Sequence, residues 1–271
     1  VYCNTTRDFD ATIGLDFDVN SNDQVIAQYY YSNNGVNIAG PNTTNSINGF
    51  PTASNFTDEG GLFILELDSS GNYNNDFTIF NNSLSYNAFS GFGNSLDYIS
   101  YGLSVDNADN IYFVFNNQNN GLFNQNIATT TIPERSNTIV KLNPNFNPVN
   151  CKIFNSFPSV SRNNFPISAL ETKDDNLVFG GILDASINIE NNLYTRSDEI
   201  TFINMDTNLF DVNWITSTTN SSVPVVDGSG SSANTPFFYS LGIHDLDIGV
   251  DNRAVFCGNI GIERSTWSSF I

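Results

Sequence analysis

Apolar residues in this chain fall in short runs separated by Asp-, Asn- and Gly-rich turns, and no segment keeps a helical period. That pattern predicts strands and little helix. Two kinds of hairpin recur. The first is an apolar strand, an Asx/Gly turn and a second strand, at residues 61–67 with 77–80, turning through 68–72. It returns at 138–142 with 151–154 and at 200–205 with 212–215. The second kind runs from a strand through an Asp/Asn corner into a more apolar strand. Its copies are 13–17 with 25–31, 101–105 with 111–115, 167–172 with 177–182, and 241–248 with 254–258. Asx side chains suit these corners because they hydrogen-bond the local backbone and tolerate positive φ.

The period places units at about 1–58, 59–133, 134–194 and 195–262, with 263–271 as the first strand of a further unit, all in one repeat domain spanning 1–271. The expected class is all-β: repeated four-stranded antiparallel units in a β-propeller-like array. The opening of the last stretch, Glu263-Arg264-Ser265, repeats Glu134-Arg135-Ser136 and Thr195-Arg196-Ser197. Its strand carries Arg264, Trp267, Phe270 and Ile271. Three fates are open to it: closing a ring within the chain, completing a neighbour's sheet to make a homo-polymer, or continuing into a longer propeller.

The motifs Leu67-Asp68-Ser69-Ser70-Gly71-Asn72 and Asp106-Asn107-Ala108-Asp109-Asn110-Ile111-Tyr112 are similar to the β-propeller repeats of exported bacterial surface proteins. The match is best over 61–115. The third unit departs from it, with Phe146-Asn147 where the motif has Gly-Asn. What the resemblance implies is a propeller-like scaffold used for display, adhesion or binding, with no catalytic residues.

Composition narrows the partners. The 271 residues carry 28 acids against 9 cations, a net charge of −19. With no basic stripe to displace counterions, nucleic-acid binding is excluded, and anionic membrane surfaces are disfavoured. No apolar run reaches the length of a membrane-spanning helix, so no membrane insertion is expected. Cys3, Cys151 and Cys257 make no disulfide framework, and Cys151 and Cys257 read as buried free thiols in strands. Sequons at Asn4, Asn42, Asn55, Asn81 and Asn220 fall mostly in polar loops. Together these features point to an extracellular or cell-surface glycoprotein.

For a metal, the alternating oxygens of Asp16, Asp18 and Asn20 suit calcium, with Asp245-Leu246-Asp247 as a weaker echo. The bland alternative is a polar face running into a turn. His244 is the single histidine, and no Gly-x-Ser-x-Gly elbow supports a triad around it. Paired carboxylates for glycoside hydrolysis need only proximity in space, and Glu66, Glu171 and Glu199 are strand candidates. Arg135, Arg196 and Arg264 repeat with the units and are read as structural ties. Tyr29, Tyr30 and Tyr31 are the aromatic cluster for stacking on glycans. The expected function is a non-enzymatic extracellular structural or adhesive protein, a filament or surface-layer subunit joined by its terminal strand. The alternative is a lectin-like module or a propeller-type glycoside hydrolase.

Overall fold

The computed structural model describes residues 12–31, 61–80, 100–117, 127, 130, 132–133, 136–155, 167–183, 186–189, 192–195, 199–208, 211–218, 238–249, 253–262 and 266–270. Every regular element among them is a strand. Sheet I joins β1 (Thr12–Val19), β2 (Val25–Tyr31), β3 (Gly61–Leu67) and β4 (Tyr73–Phe80) in sequence order. Sheet II joins β5 (Leu103–Val105), β6 (Ile111–Asn117), β7 (Ser136–Leu142) and β8 (Pro148–Asn155). Sheet III joins β9 (Ile167–Lys173), β10 (Asn176–Leu183), β13 (Glu199–Asp206) and β14 (Val212–Thr218). A separate hairpin, β11 (Ser186–Ile189) with β12 (Asn192–Thr195), is inserted between β10 and β13. Sheet IV holds β15 (Phe238–Ile248), β16 (Ala254–Ile262) and β17 (Thr266–Phe270).

The sheets are phased half a repeat away from the units read along the sequence. Sheet I, for example, joins the second-half hairpin β1–β2 to the leading-half hairpin β3–β4 across residues 32–60. The terminal strand accordingly enters sheet IV as its third strand. Trp267 and Phe270 lie on β17, which pairs antiparallel with β16 from Ile262↔Thr266 to Gly258↔Phe270. Arg264 and Ile271 lie outside the described residues.

Four hairpins turn in the same way. The first turn residue is Asn20, Asp68, Asp106 or Asn143, and its Oδ1 accepts the N–H groups two and four residues on, at 2.8–3.0 Å. The fourth residue then takes positive φ: Asp23 at 58°, Gly71 at 80°, Asp109 at 60° and Phe146 at 61°. Only one of the four is the glycine such a position favours. The Asx acceptor holds the turn even where Phe146 fills the strained place, so Phe146-Asn147 makes the same turn as Gly71-Asn72.

Strand alternation places the core between sheets. On β6, Ile111, Phe113 and Phe115 face one way and pack with Ile26, Leu62, Ile64, Val140 and Leu142. Tyr112 and Val114 face the other way and pack with Ile139, Leu170, Leu177, Phe179 and Ile203. Burial on both faces is why this stretch reads as one apolar run rather than as strict alternation. Each fully buried aromatic or aliphatic side chain contributes ~1.5–3 kcal/mol. Sheets III and IV meet through Phe202 and Phe256, whose ring centroids are 4.6 Å apart.

Polar ties lock the turns. Ser21 donates its N–H and hydroxyl to Asp109 at 2.8 and 2.6 Å, joining sheets I and II. Lys141 lies over the Tyr112 ring and donates to Thr207 O at 3.2 Å, joining sheets II and III. Lys173 donates to Ile248 O and Gly249 O at the β15–β16 turn, joining III to IV.

Candidate functional site

The first strands β1, β5, β9 and β15 lie side by side in sheet order, β1 against β5, β5 against β9 and β9 against β15. Each pairs within its sheet along one edge only, so the N–H groups of its other edge need outside acceptors. The preceding first strand supplies them. Asp16 Oδ2 accepts Leu103 N–H at 2.8 Å, and Asp18 Oδ2 accepts Val105 N–H at 2.7 Å. At the next joint Ser104 Oγ accepts Thr172 N–H and Ser100 Oγ accepts Ile167 N–H, both at 3.0 Å. Gln28, on β2, spans the first joint: Oε1 accepts Gly102 N–H at 2.9 Å and Nε2 donates to Val114 O at 2.7 Å.

Gly102 is the pivot of this edge. Its φ is +141°, and a Cβ there would lie 2.9 Å from Leu170 Cβ, so only glycine lets β5 approach β9 so closely.

The same edge gathers acids from three sheets. Burial pushes the Glu171 carboxyl up to about 8, helped by the negative charges of Asp18, Asp247, Asp16 and Asp245. Burial likewise lifts Asp16 to about 6, against the lowering effect of its bonds from Leu103 and Phe17, with Asp245 and Asp18 adding to the rise. Tyr101 is held up to about 12 by burial and by the charge on Asp16. Glu171 therefore keeps its proton at neutral pH.

The structure gives the three residues of the calcium expectation other partners. Asn20 Oδ1 accepts Asn22 and Gln24 N–H, and its Nδ2 donates to Gln24 Oε1. Asp16 and Asp18 each take one N–H on Oδ1 and one on Oδ2. Among the described residues no group of three or more His, Cys, Asp or Glu side chains is arranged to hold a metal ion. The side-chain oxygens of all three residues thus accept backbone N–H groups.

The other expected residues scatter. Glu66 is buried on β3, accepting from Asn74 Nδ2 at 2.5 Å, far from Glu171 in the sheet order. Glu199 and His244 lie on β13 and β15. Tyr29 is buried rather than presented to solvent. Cys151 and Cys257 are free and half-buried. The sequons at Asn4, Asn42, Asn55, Asn81 and Asn220, with Arg135, Arg196 and Cys3, lie outside the described residues. Gln28, Gly102 and the hydroxyls of Ser100 and Ser104 are the residues that sequence reasoning passed over. Aligning the strands on their Asx turns would have put Asp16/Asp18, Gly102/Ser104 and Asp245/Asp247 in one register.

No family model and no curated protein matches the chain. Among solved structures it is similar to the β-propeller domain of the Trilobed protease from Pyrococcus furiosus, which has an open velcro topology. Identity is 11% and TM-score 0.38, over 96% of this chain and 57% of that one. It is similar also to the GH43 endo-arabinanase from Bacillus licheniformis, at 12% identity and TM-score 0.39, over 94% and 70%. An acylaminoacyl peptidase shows 9% identity and TM-score 0.22, over 93% and 44%. The chain thus spans somewhat over half the length of the first of these.

Proposed function

We propose that this chain is a non-enzymatic scaffold of the extracellular space, a structural or adhesive propeller-type array of sheets. The observation that carries the reading is the use made of the axial carboxylates. Asp16 and Asp18 belong to the acidic edge to which sheets I, III and IV contribute, and their oxygens cap backbone N–H groups of sheets I and II. Carboxylates committed to the backbone hold sheets together and are poorly placed to exchange protons with a substrate. The acidic, cation-poor composition supports an exported, self-repelling particle. In this proposal β17 forms contacts to neighbouring copies along its outer edge, which has no partner strand among the described residues.

A second reading is favoured by one observation. Glu171, its carboxyl pushed up to about 8 by burial, lies among the carboxyl groups of Asp16, Asp18, Asp245 and Asp247, and a carboxyl held protonated near a second one is what glycoside hydrolysis uses as general acid. One experiment separates the two. Wild-type protein and Glu171→Gln are incubated with a panel of polysaccharides, and the wild type is also imaged by negative-stain electron microscopy. No release of reducing sugar, with ordered assemblies on the grid, is the expected result. Sugar release that Glu171→Gln abolishes would make the protein a hydrolase.

A further inference from the structure

Sheets I, II and III carry a bulge at the same place on their fourth strands. Leu67, Leu142 and Met205 pair with Val25, Ile111 and Leu177. One residue before each, at Glu66, Lys141 and Asn204, the fourth strand shifts register, and the residue opposite is Asn75, Asn150 or Trp214. Opposed residues of an antiparallel ladder share a face, so each pair stands together on the side of its sheet turned to the next one. Phe202, two residues from Asn204, marks that side in sheet III by its contact with Phe256 of sheet IV.

The equivalent positions are used differently. Asn75 and Asn150 fold back, each Oδ1 accepting the N–H of the residue after it, Asp76 at 3.0 Å and Cys151 at 2.8 Å. Trp214 has no acceptor with which to do this and is 42% exposed. Opposite it, Asn204 is only 5% exposed, and its Oδ1 accepts Nδ2 of the bulged Asn213 at 2.8 Å. Lys141, at the same place in sheet II, donates to Thr207 O of the next sheet, whereas Asn204 Nδ2 donates to no described residue. Asn213 is exposed, as is Thr216, two residues along β14 on the face of Trp214. An indole is thus bordered by a buried amide with unused donors, a second amide and a hydroxyl.

That combination narrows the ligand. A single ring is far smaller than the ~800 Å² that a protein partner covers on one surface. None of the bordering side chains is charged, which leaves an ionic ligand nothing to pair with among them. A neutral saccharide matches both parts: the C–H face of a pyranose lies on an aromatic ring, and its hydroxyls donate and accept at amides and hydroxyls.

We propose that Trp214, Asn204, Asn213 and Thr216 form a saccharide-binding subsite at the rim of sheet III, with the indole stacked on one pyranose ring and Asn204 Nδ2 donating to a ring hydroxyl. The subsite supplies a ligand for the adhesive part of the scaffold reading and rests on that reading for its setting. It lies on β14, at the opposite edge of sheet III from β9 and Glu171, so it is separate from the axial acids.

The test titrates the whole chain with neutral hexasaccharides of glucose, mannose and galactose, followed by isothermal titration calorimetry and by tryptophan emission. Trp267→Phe leaves Trp214 as the chain's one tryptophan, so emission from that variant reports the subsite alone. At least one hexasaccharide is expected to bind with Kd on the order of 0.1–1 mM and to shift that emission to the blue. Trp214→Ala should weaken binding about tenfold or more, while Trp214→Tyr, which keeps a ring to stack, should stay within about fivefold of the wild type. Asn204→Asp keeps the acceptor for Asn213 but removes the donors, and should weaken binding about 5- to 10-fold. Thermal unfolding checks that each variant is folded. No binding by any of the hexasaccharides at about 10 mM, or binding that Trp214→Ala leaves unchanged, would overturn the subsite. Ordered assemblies on the grid without saccharide binding would sink the subsite and leave the scaffold reading standing. Binding lost in Trp214→Ala, from a protein that forms no assemblies, would do the reverse.

Discussion

The joint between sheets I and II and the joint between sheets II and III have the same geometry and different chemistry. At the first, carboxylates of Asp16 and Asp18 and the amide of Gln28 reach across. At the second, the hydroxyl of Ser104, equivalent to Asp18, takes Thr172 N–H, and that of Ser100 takes Ile167 N–H, at similar distances. An acceptor is what the position requires; a charge is not. The concentration of acids along the axial edge follows from which acceptor each sheet happens to use, and it has an electrostatic cost that the hydroxyl joint avoids.

Breaking both joints at once should have the largest effect. Gly102→Val forces a side chain onto a backbone at φ +141° and into Leu170 Cβ, and should cost ~3 kcal/mol or more in urea unfolding. Phe113→Ala empties the core between sheets I and II and should cost ~3–5 kcal/mol by the same measurement. Gln28→Leu leaves Gly102 N–H and Val114 O buried without their partner, for a loss of about 2 kcal/mol confined to the first joint.

The charge at the axis gives a sharper contrast, because its sign is opposite. Glu171 binds its proton more tightly folded, at about 8 against an ordinary 4.5. Its contribution is therefore fully present below about 4.5 and is lost as pH rises through about 8. Asp16, raised from 3.8 to about 6, adds the same trend at lower pH. Thermal unfolding followed from pH 5 to pH 8 should show stability falling. Glu171→Gln should flatten that fall and raise stability by ~2 kcal/mol at pH 8.

Much of this was legible in the chain. The Asx turns and short apolar runs mark the hairpins, because each turn is built from its own residues: Asn143 alone suffices to hold the turn that Phe146 strains. The phase of the sheets was not legible. Pairing of β2 with β3 depends on contacts across residues 32–60, and every hairpin looks equally able to start or end a sheet. The partners of Asp16 and Asp18 were not legible for a related reason. Asp16-Phe17-Asp18 presents the same alternating oxygens whether they face a metal ion or the backbone of the next strand. Only the register of β1 against β5 decides between them.

The most direct test of the central claim, that the axial acids are acceptors for a neighbouring sheet, compares two substitutions at one position. Asp18→Ser keeps an acceptor, as Ser104 does at the second joint, while Asp18→Val removes it and leaves Val105 N–H without a partner. In urea unfolding at pH 7, Asp18→Ser is predicted to lie within ~1 kcal/mol of the wild type and Asp18→Val to lose ~2 kcal/mol. A valine variant as stable as the wild type would contradict the account, since the joint would then hold without the bond.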